Sequence, residues 1–469
     1  MHTSGKIDMT RGPIMKQVVL FALPICLGNI LQQLYSTVDT LVIGNFCSSA
    51  SLAAVGTSAQ PVEVFLCIFL GIGNGVSILV SQHTGSGDEK GLRRLTATAS
   101  SFLYLCAVPL SIAGLFLGPL ILRFMQAPAD IWEHAVSYLR IIFLGTLGNM
   151  GYNMNAGILR GVGDSRASLL FLLVSCAVNI LLDIIFVAGF RMDVAGAALA
   201  TVLAMYCSWA FSIGYIKRKY PELGYTIFPR IMDRKMLREI ISVGLPLGLN
   251  NSIYSVGHVL TQSLINAQGS AFVAACSVAS KVTGIANVAI QSFASAATTF
   301  SGQNLGCQNY LRLKKGGKQI PFYSGLFTGA AGLTVTLFCR PVLGLFTRDM
   351  AVIELAVIYI RVVLPFTWAF AVFNSIVCFI NGMGEVKYPT VINILMLWVV
   401  RIPSAYLIGR FIDGKYLMAC FPISFLFGML CMLAYFLMGS WRQLRQLAAQ
   451  QECAQLPEGR RDAGETGCE

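Results

Sequence analysis

The sequence predicts an all-α polytopic membrane protein of about twelve transmembrane helices, built as two pseudo-symmetric six-helix lobes. Three observations lead there. Of the 469 residues, 55% are hydrophobic and only 12% charged, whereas an ordinary soluble protein carries about 25% charged residues. Apolar runs long enough to cross a bilayer, which takes about 20 helical residues, recur along nearly the whole chain. The second half also repeats landmarks of the first in order, beginning with Leu23-Pro24 against Leu245-Pro246.

Polar punctuation sets the spans in chain order at 17–45, 55–82, 95–122, 132–158, 167–190 and 194–216. It then sets them at 240–267, 272–302, 319–344, 352–380, 388–410 and 415–438. Residues 1–16 form a polar N-terminal segment. The apolar run from Val18 to Cys47 is too long for a signal-peptide core and ends without a small-residue cleavage pattern, so the first span is expected to be retained. Pro24, Pro109, Pro246, Pro365 and Pro403 fall within or near spans, where a missing backbone donor bends a helix. The first lobe is thus expected over 17–216 and the second over 240–438, joined by a cytoplasmic linker at 217–239. The mixed-charge stretch 439–469 is expected to be a mobile cytoplasmic tail.

The net charge of +12 would suit a nucleic-acid binder if it were gathered on one element. It is not. The alternate loops that would face outward hold only Arg123, Arg191, Arg340, Arg348, Arg410 and Lys415 of the 34 Lys and Arg, and Arg140, Lys281, Arg361 and Arg401 fall in or beside spans. By the positive-inside rule, both termini are cytoplasmic, and no nucleic-acid partner is expected. The 14 cysteines are scattered singly, such as Cys67, Cys106, Cys176 and Cys207. They read as small apolar packing residues rather than zinc ligands or a disulfide framework.

The repeat extends well beyond its first proline. Leu27 pairs with Leu249, Asn29 with Asn251, Ile43 with Ile265 and Ala53 with Ala275; Gln82 pairs with Gln303 and Gly85 with Gly306. Further on, Tyr138 and Arg140 meet Tyr359 and Arg361, and Gly161, Gly163 and Asp164 meet Gly382, Gly384 and Glu385. An even number of spans per copy gives both copies the same orientation in the membrane, a symmetry that transporters use for alternating access.

The chain resembles the multidrug and toxic compound extrusion (MATE) transporters. The likeness lies in the set and order of several motifs over roughly residues 13 to 440. They are the Leu23-Pro24 helix running to Asp39 and Gly44, the Gln82 to Gly87 turn followed by basic residues, and Leu159-Arg-Gly-Val-Gly-Asp164. To these add Asn179-Ile-Leu-Leu-Asp183, Gln303-Asn-Leu-Gly306 and Arg401-Ile-Pro403. The resemblance implies two six-helix lobes around a central V-shaped cavity, and export of organic cations and amphipathic drugs in exchange for H+ or Na+. It further implies a monomer in the plasma (inner) membrane of a bacterium, with the lipid bilayer and a small-molecule substrate as its partners.

Three acids read as lying within apolar runs: Asp39, Glu63 and Asp183. Ionisable residues at membrane depth cost several kcal/mol and are functional candidates by default. Asp183 follows Asn179 by one helical turn, and Asp39 shares a face with Tyr35 and Gln32. The resemblance gathers Asp39, Tyr138, Asn179, Asp183 and Thr201 into one ion-coupling pocket of the first lobe. Two carboxylates in a low-dielectric pocket do not easily both stay ionised; either one takes a proton or a cation sits between them. Asp39, Asp183, Asn179 and Thr201 would be metal ligands only if Na+ is the coupling ion.

Tyr35, Gln32, Glu63, Gln262, Asn266 and His258 are candidates to line the substrate cavity. The second-half counterparts of Asp39, Asp183 and Asn179 are Thr261, Ser404 and Val400, and no carboxylate is expected within that half's spans. Instead it carries Lys281, Arg361 and Arg401, expected to snorkel or to pair with backbone carbonyls. The Gly-rich turns at 84–87 and 161–163 lack the Lys-Ser/Thr ending of a phosphate loop and read as tight turns. No nucleophile and base arrangement or metal-ligand cluster stands out, so neither enzyme activity nor a cofactor is expected. Two other readings stand beside drug antiport: a flippase for a lipid-linked saccharide, which would want several cavity arginines, and a non-transporting membrane receptor or scaffold.

Overall fold

In the computed structural model, residues 6–124, 128, 131–226, 232–344, 346, 349–439, 444 and 446–451 are described, without the side chains of 41, 49, 52, 59–61, 63–65, 121 and 285. The described residues are helical almost throughout. The first seven α-helices are α1 (Ile14–Phe46), α2 (Ser49–Ser86), α3 (Glu89–Phe124), α4 (Trp132–Leu144), α5 (Thr146–Val162), α6 (Ser165–Asp183) and α7 (Asp193–Lys219). They are followed by α8 (Arg234–Asn266), α9 (Ser270–Gly306), α10 (Tyr310–Leu337), α11 (Cys339–Gly344) and α12 (Met350–Val363). The last four are α13 (Thr367–Gly382), α14 (Lys387–Leu395), α15 (Ile402–Phe411) and α16 (Cys420–Met438).

Among the described residues, nine helices are long and apolar enough to cross a membrane, and the bent α9 makes a tenth. The remaining two expected spans have a physical reason for escaping that test. One is broken at Gly145 into α4 and α5. The other, α8, carries Asn250, Asn251, His258, Gln262 and Asn266 among its apolar residues.

Short irregular segments join helices into single spans. Pro365 sits in a 3₁₀ turn, Leu364–Phe366, between α12 and α13. A π-helical turn, Ile184–Gly189, prolongs α6 directly after Asp183, and a second, Met396–Arg401, separates α14 from α15 just before Pro403. Pro24 and Pro246 lie inside unbroken helices.

The chain divides into two compact units. The first comprises Met1–Ile7, Leu23–Thr84 and Asp88–Ser252; the second comprises Asp8–Ala22, Gly85–Gly87 and Ile253–Glu469. The later crossing falls inside α8 rather than in the linker. Glycine explains it: a Cβ on Gly71 of α2 would lie 2.1 Å from Gly248 N, and one on Gly75 would lie 2.6 Å from Gly244 Cα. Only bare backbones allow the first part of α8 to cross α2 this closely.

Within the first unit, Asp164 is buried and caps α6 through Ala167 N–H at 3.1 Å. Its other oxygen accepts from Tyr220 (2.7 Å), Tyr215 (2.8 Å) and Lys219 (2.9 Å). The preceding Gly163 ends α5 at φ +104°, the left-handed conformation that favours glycine. The second unit repeats the device in simpler form, Tyr435 donating to Glu385.

The second unit also anchors its own N-terminal strap. Gln303 accepts from Met9 N–H (3.1 Å), Asn304 donates to Met9 O (3.0 Å), and the Arg312 guanidinium donates to the carbonyls of Met9, Arg11 and Gly12. The stretch expected to be a mobile tail is helical over 446–451, and Gln451 accepts from Tyr310 N–H at 3.0 Å. Residues 452–469 lie outside the described set.

Candidate functional site

In the first unit, α1, α4, α6 and α7 bring the expected ion-site residues together. Asp183 and Asn179 are fully buried on one face of α6, and Thr201 is nearly so on α7. Turned so that both its polar ends are satisfied, the Asn179 amide donates to Asp183 Oδ2 at 2.8 Å, while its oxygen accepts from Thr201 N–H at 3.3 Å. Thr201 Oγ1 donates to Ala197 O at 3.0 Å and lies beside Tyr35. The Asp39 and Asp183 carboxyls lie close enough to act on each other, and Tyr138 lies near both. Two ionised carboxylates would repel in such a contact; a proton shared between them, or a cation, makes it favourable.

One oxygen of each acid, Asp39 Oδ1 and Asp183 Oδ1, is buried without a hydrogen-bond partner among the described residues. Together with the amide and hydroxyl oxygens around them, these atoms suit either a proton or a small hard cation. One helical turn away from the polar layer, Ile43, Val187 and Ala197 pack together, all buried. They stand four residues from Asp39, Asp183 and Thr201 respectively, so an apolar plug closes one end of the pocket. Beyond it, Ser51 donates to Asp193 Oδ2 (2.8 Å), which also pairs with His134 Nδ1 at 3.4 Å.

The sequence profile of the MatE family matches residues 24–185 and again residues 246–407. The chain belongs to the MatE family. It is a MATE-type efflux transporter, a multi-pass membrane protein and not an enzyme. The chain is 28% identical over 441 residues to the probable multidrug resistance protein YpnP of Bacillus subtilis, covering 93% of this chain and 98% of that one. It is 25% identical over 438 residues to the probable multidrug resistance protein NorM of Thermotoga maritima, covering 92% and 94%. Among solved structures, an outward-facing multidrug resistance MATE family transporter superposes with a TM-score of 0.86 at 24% identity, covering 95% of this chain and 99% of that one. This last likeness shows the shared fold. The twice-matched MatE profile also accounts for the internal repeat, one copy in each half.

The residues expected to line the substrate cavity of this MATE-family chain fall on α1, α2 and α8. Gln32 is exposed on α1, and Glu63 falls on α2 with its side chain outside the described set. Gln262, Asn266 and His258 are exposed on the part of α8 that belongs to the second unit, where Gln262 donates to Asn266 at 2.9 Å.

The second unit corrects two expectations. Glu354 lies within one of its spans, on α12, but is exposed near the start of that helix. Arg401 neither snorkels nor pairs with a carbonyl: it is 1% exposed, the largest fully buried side chain in the chain's described part. Its Nε donates to Ser424 (3.0 Å) and its Nη1 to Tyr254 (3.0 Å), while the rings of Phe421, Phe425 and Tyr254 surround it at 4.7, 5.5 and 5.7 Å. Lys281 and Arg361, by contrast, are exposed. Sequence reasoning singled out Arg401 as a charge at span depth but missed its cage, whose members lie on α8 and α16. It also missed the π-turn after Asp183, which no proline or Asn-Gly signal announces. Such turns recur at functional sites because they free backbone groups from the regular ladder.

Proposed function

We propose that the chain exports organic cations and amphipathic drugs by alternating access, coupled to inward H+ or Na+ at the Asp39–Asp183 pair. The single observation that carries the reading is the mutual approach of these two carboxyls in a pocket of buried oxygens. Binding of a proton or Na+ removes the repulsion between them and lets α1 draw onto α6 and α7. Loss of the ion restores repulsion and loosens the same packing. A conformational change of the first lobe is thereby tied to occupancy of the pocket, and cationic substrate release follows it by competition or by conformation. Asn179, Thr201, Tyr35 and Tyr138 position the two acids or ligate the ion. In this reading the chain is a monomer in a bacterial plasma membrane with both termini cytoplasmic.

Ethidium efflux from energised cells tests the assignment. Asp39→Asn and Asp183→Asn should each slow efflux by about tenfold or more, the scale of a coupling free energy of about 1–3 kcal/mol. Wild-type rates in both variants would remove the coupling role from this pair. The flippase reading draws less support, because a pyrophosphate headgroup wants several arginines, and among the described residues of the second unit's spans Arg401 is buried while Lys281 and Arg361 are exposed.

A further inference from the structure

Arg401 is a permanent charge, since guanidinium does not lose its proton in proteins. It stands near the middle of a span, at the end of the π-turn Met396–Arg401. A buried charge is ordinarily paired with an opposite one, because leaving it alone costs several kcal/mol. No carboxylate lies within ion-pair distance of it among the described residues. Two hydroxyls and three rings supply part of the compensation, and Nη2 is buried with no hydrogen-bond partner among the described residues.

The surroundings are ordered to receive something. Ser424 spends its own proton on Phe421 O (2.8 Å), so its oxygen is held as an acceptor for the guanidinium. Tyr254 accepts from Arg401, which leaves its phenolic proton as a further donor beside Nη1 and Nη2. Tyr254 is only half-buried, and it begins a row on α8 that continues at helical spacing through His258, Gln262 and Asn266, all exposed. Exposed polar groups at such spacing within a span face water, since lipid would penalise them. The row leads from water to the guanidinium, with Tyr254 as the last side chain before it; its ring lies 5.9 Å from that of His258.

We propose that Arg401 and Tyr254 form an oxyanion subsite in the second lobe, which takes the carboxylate of a zwitterionic amphiphile. This rests on the transport reading above and extends its substrate class from cations to molecules that also carry an acid. The carboxylate would take one N–H from the guanidinium and the O–H of Tyr254 as the ring swings aside, replacing the cation–π contact with a charge-assisted pair.

Rhodamine 110 and its methyl ester, rhodamine 123, differ in one free carboxylate and make the test direct. Binding is followed by fluorescence anisotropy on the purified full-length protein in detergent. Wild type is expected to hold the acid at least as tightly as the ester. Arg401→Gln should weaken the acid about tenfold or more and leave the ester within about twofold, while Tyr254→Phe should weaken the acid alone. Arg401→Lys, which keeps the charge but not the fork, should fall between. The proposal is overturned if Arg401→Gln shifts both dyes alike or neither, or if wild type binds the ester and not the acid. Should Arg401→Gln fail to fold, an unchanged acid-to-ester ratio in Tyr254→Phe overturns it just as well. Absence of binding for both dyes would sink the transport reading's substrate class and this subsite with it, whereas failure of the acid alone would sink only the subsite.

Discussion

Asp39 and Asp183 are tolerable together only when something positive joins them, and that makes each a residue whose surroundings state its chemistry. The one-turn spacing of Asn179 and Asp183 was legible in the sequence, because helical periodicity alone puts both on one face. What sequence could not give was the neighbour on another helix: Tyr35 beside Thr201, or the cage of Arg401, whose hydrogen-bond partners stand 23 and 147 residues away. Hydrogen-bond partners, not burial, separate the proposed coupling acids from a structural one. Asp164 is as buried as Asp183 yet accepts from Ala167, Tyr215, Lys219 and Tyr220. Asp164→Ala removes one member of a buried pair and should cost about 3 kcal/mol of stability. Thermal unfolding in detergent reads this directly; an unchanged midpoint would contradict the clamp described for that turn.

At the scale of elements, helix order and approximate ends were readable because hydrocarbon thickness demands long apolar runs. The helices overrun those limits on their polar sides, as α10 does from Tyr310 against an expected 319, because a helix needs no lipid to continue. Crossings were not readable, since a glycine announces neither its partner nor its depth. Gly71 and Gly248 give a check. Gly71→Leu should destabilise by about 1–3 kcal/mol through overpacking, seen as a lowered unfolding temperature. Gly56→Ala, with nothing within 4 Å of its would-be Cβ, should leave that temperature unchanged or raised. Equal effects at the two sites would mean that α2 and α8 do not meet backbone to backbone.

On the scale of the whole molecule, the repeated scaffold was legible through its turns and prolines, while its chemistry required the structure. The acid-and-tyrosine clamp recurs in both halves, at Asp164 and at Glu385. The buried charges do not recur. Tyr138 stands near the two acids, whereas its counterpart Tyr359 lies beside Ser280 and Thr283, and Ser404, in place of Asp183, donates to the backbone carbonyl of the buried Arg401. Ion coupling therefore belongs to the first lobe in this account. The direct measurement is dye efflux from proteoliposomes with a pH gradient and a sodium gradient imposed separately, on wild type and on Asp39→Asn/Asp183→Asn. The account predicts that at least one gradient drives wild-type efflux and that neither drives the double variant. Gradient-driven efflux that persists undiminished in the double variant would contradict it.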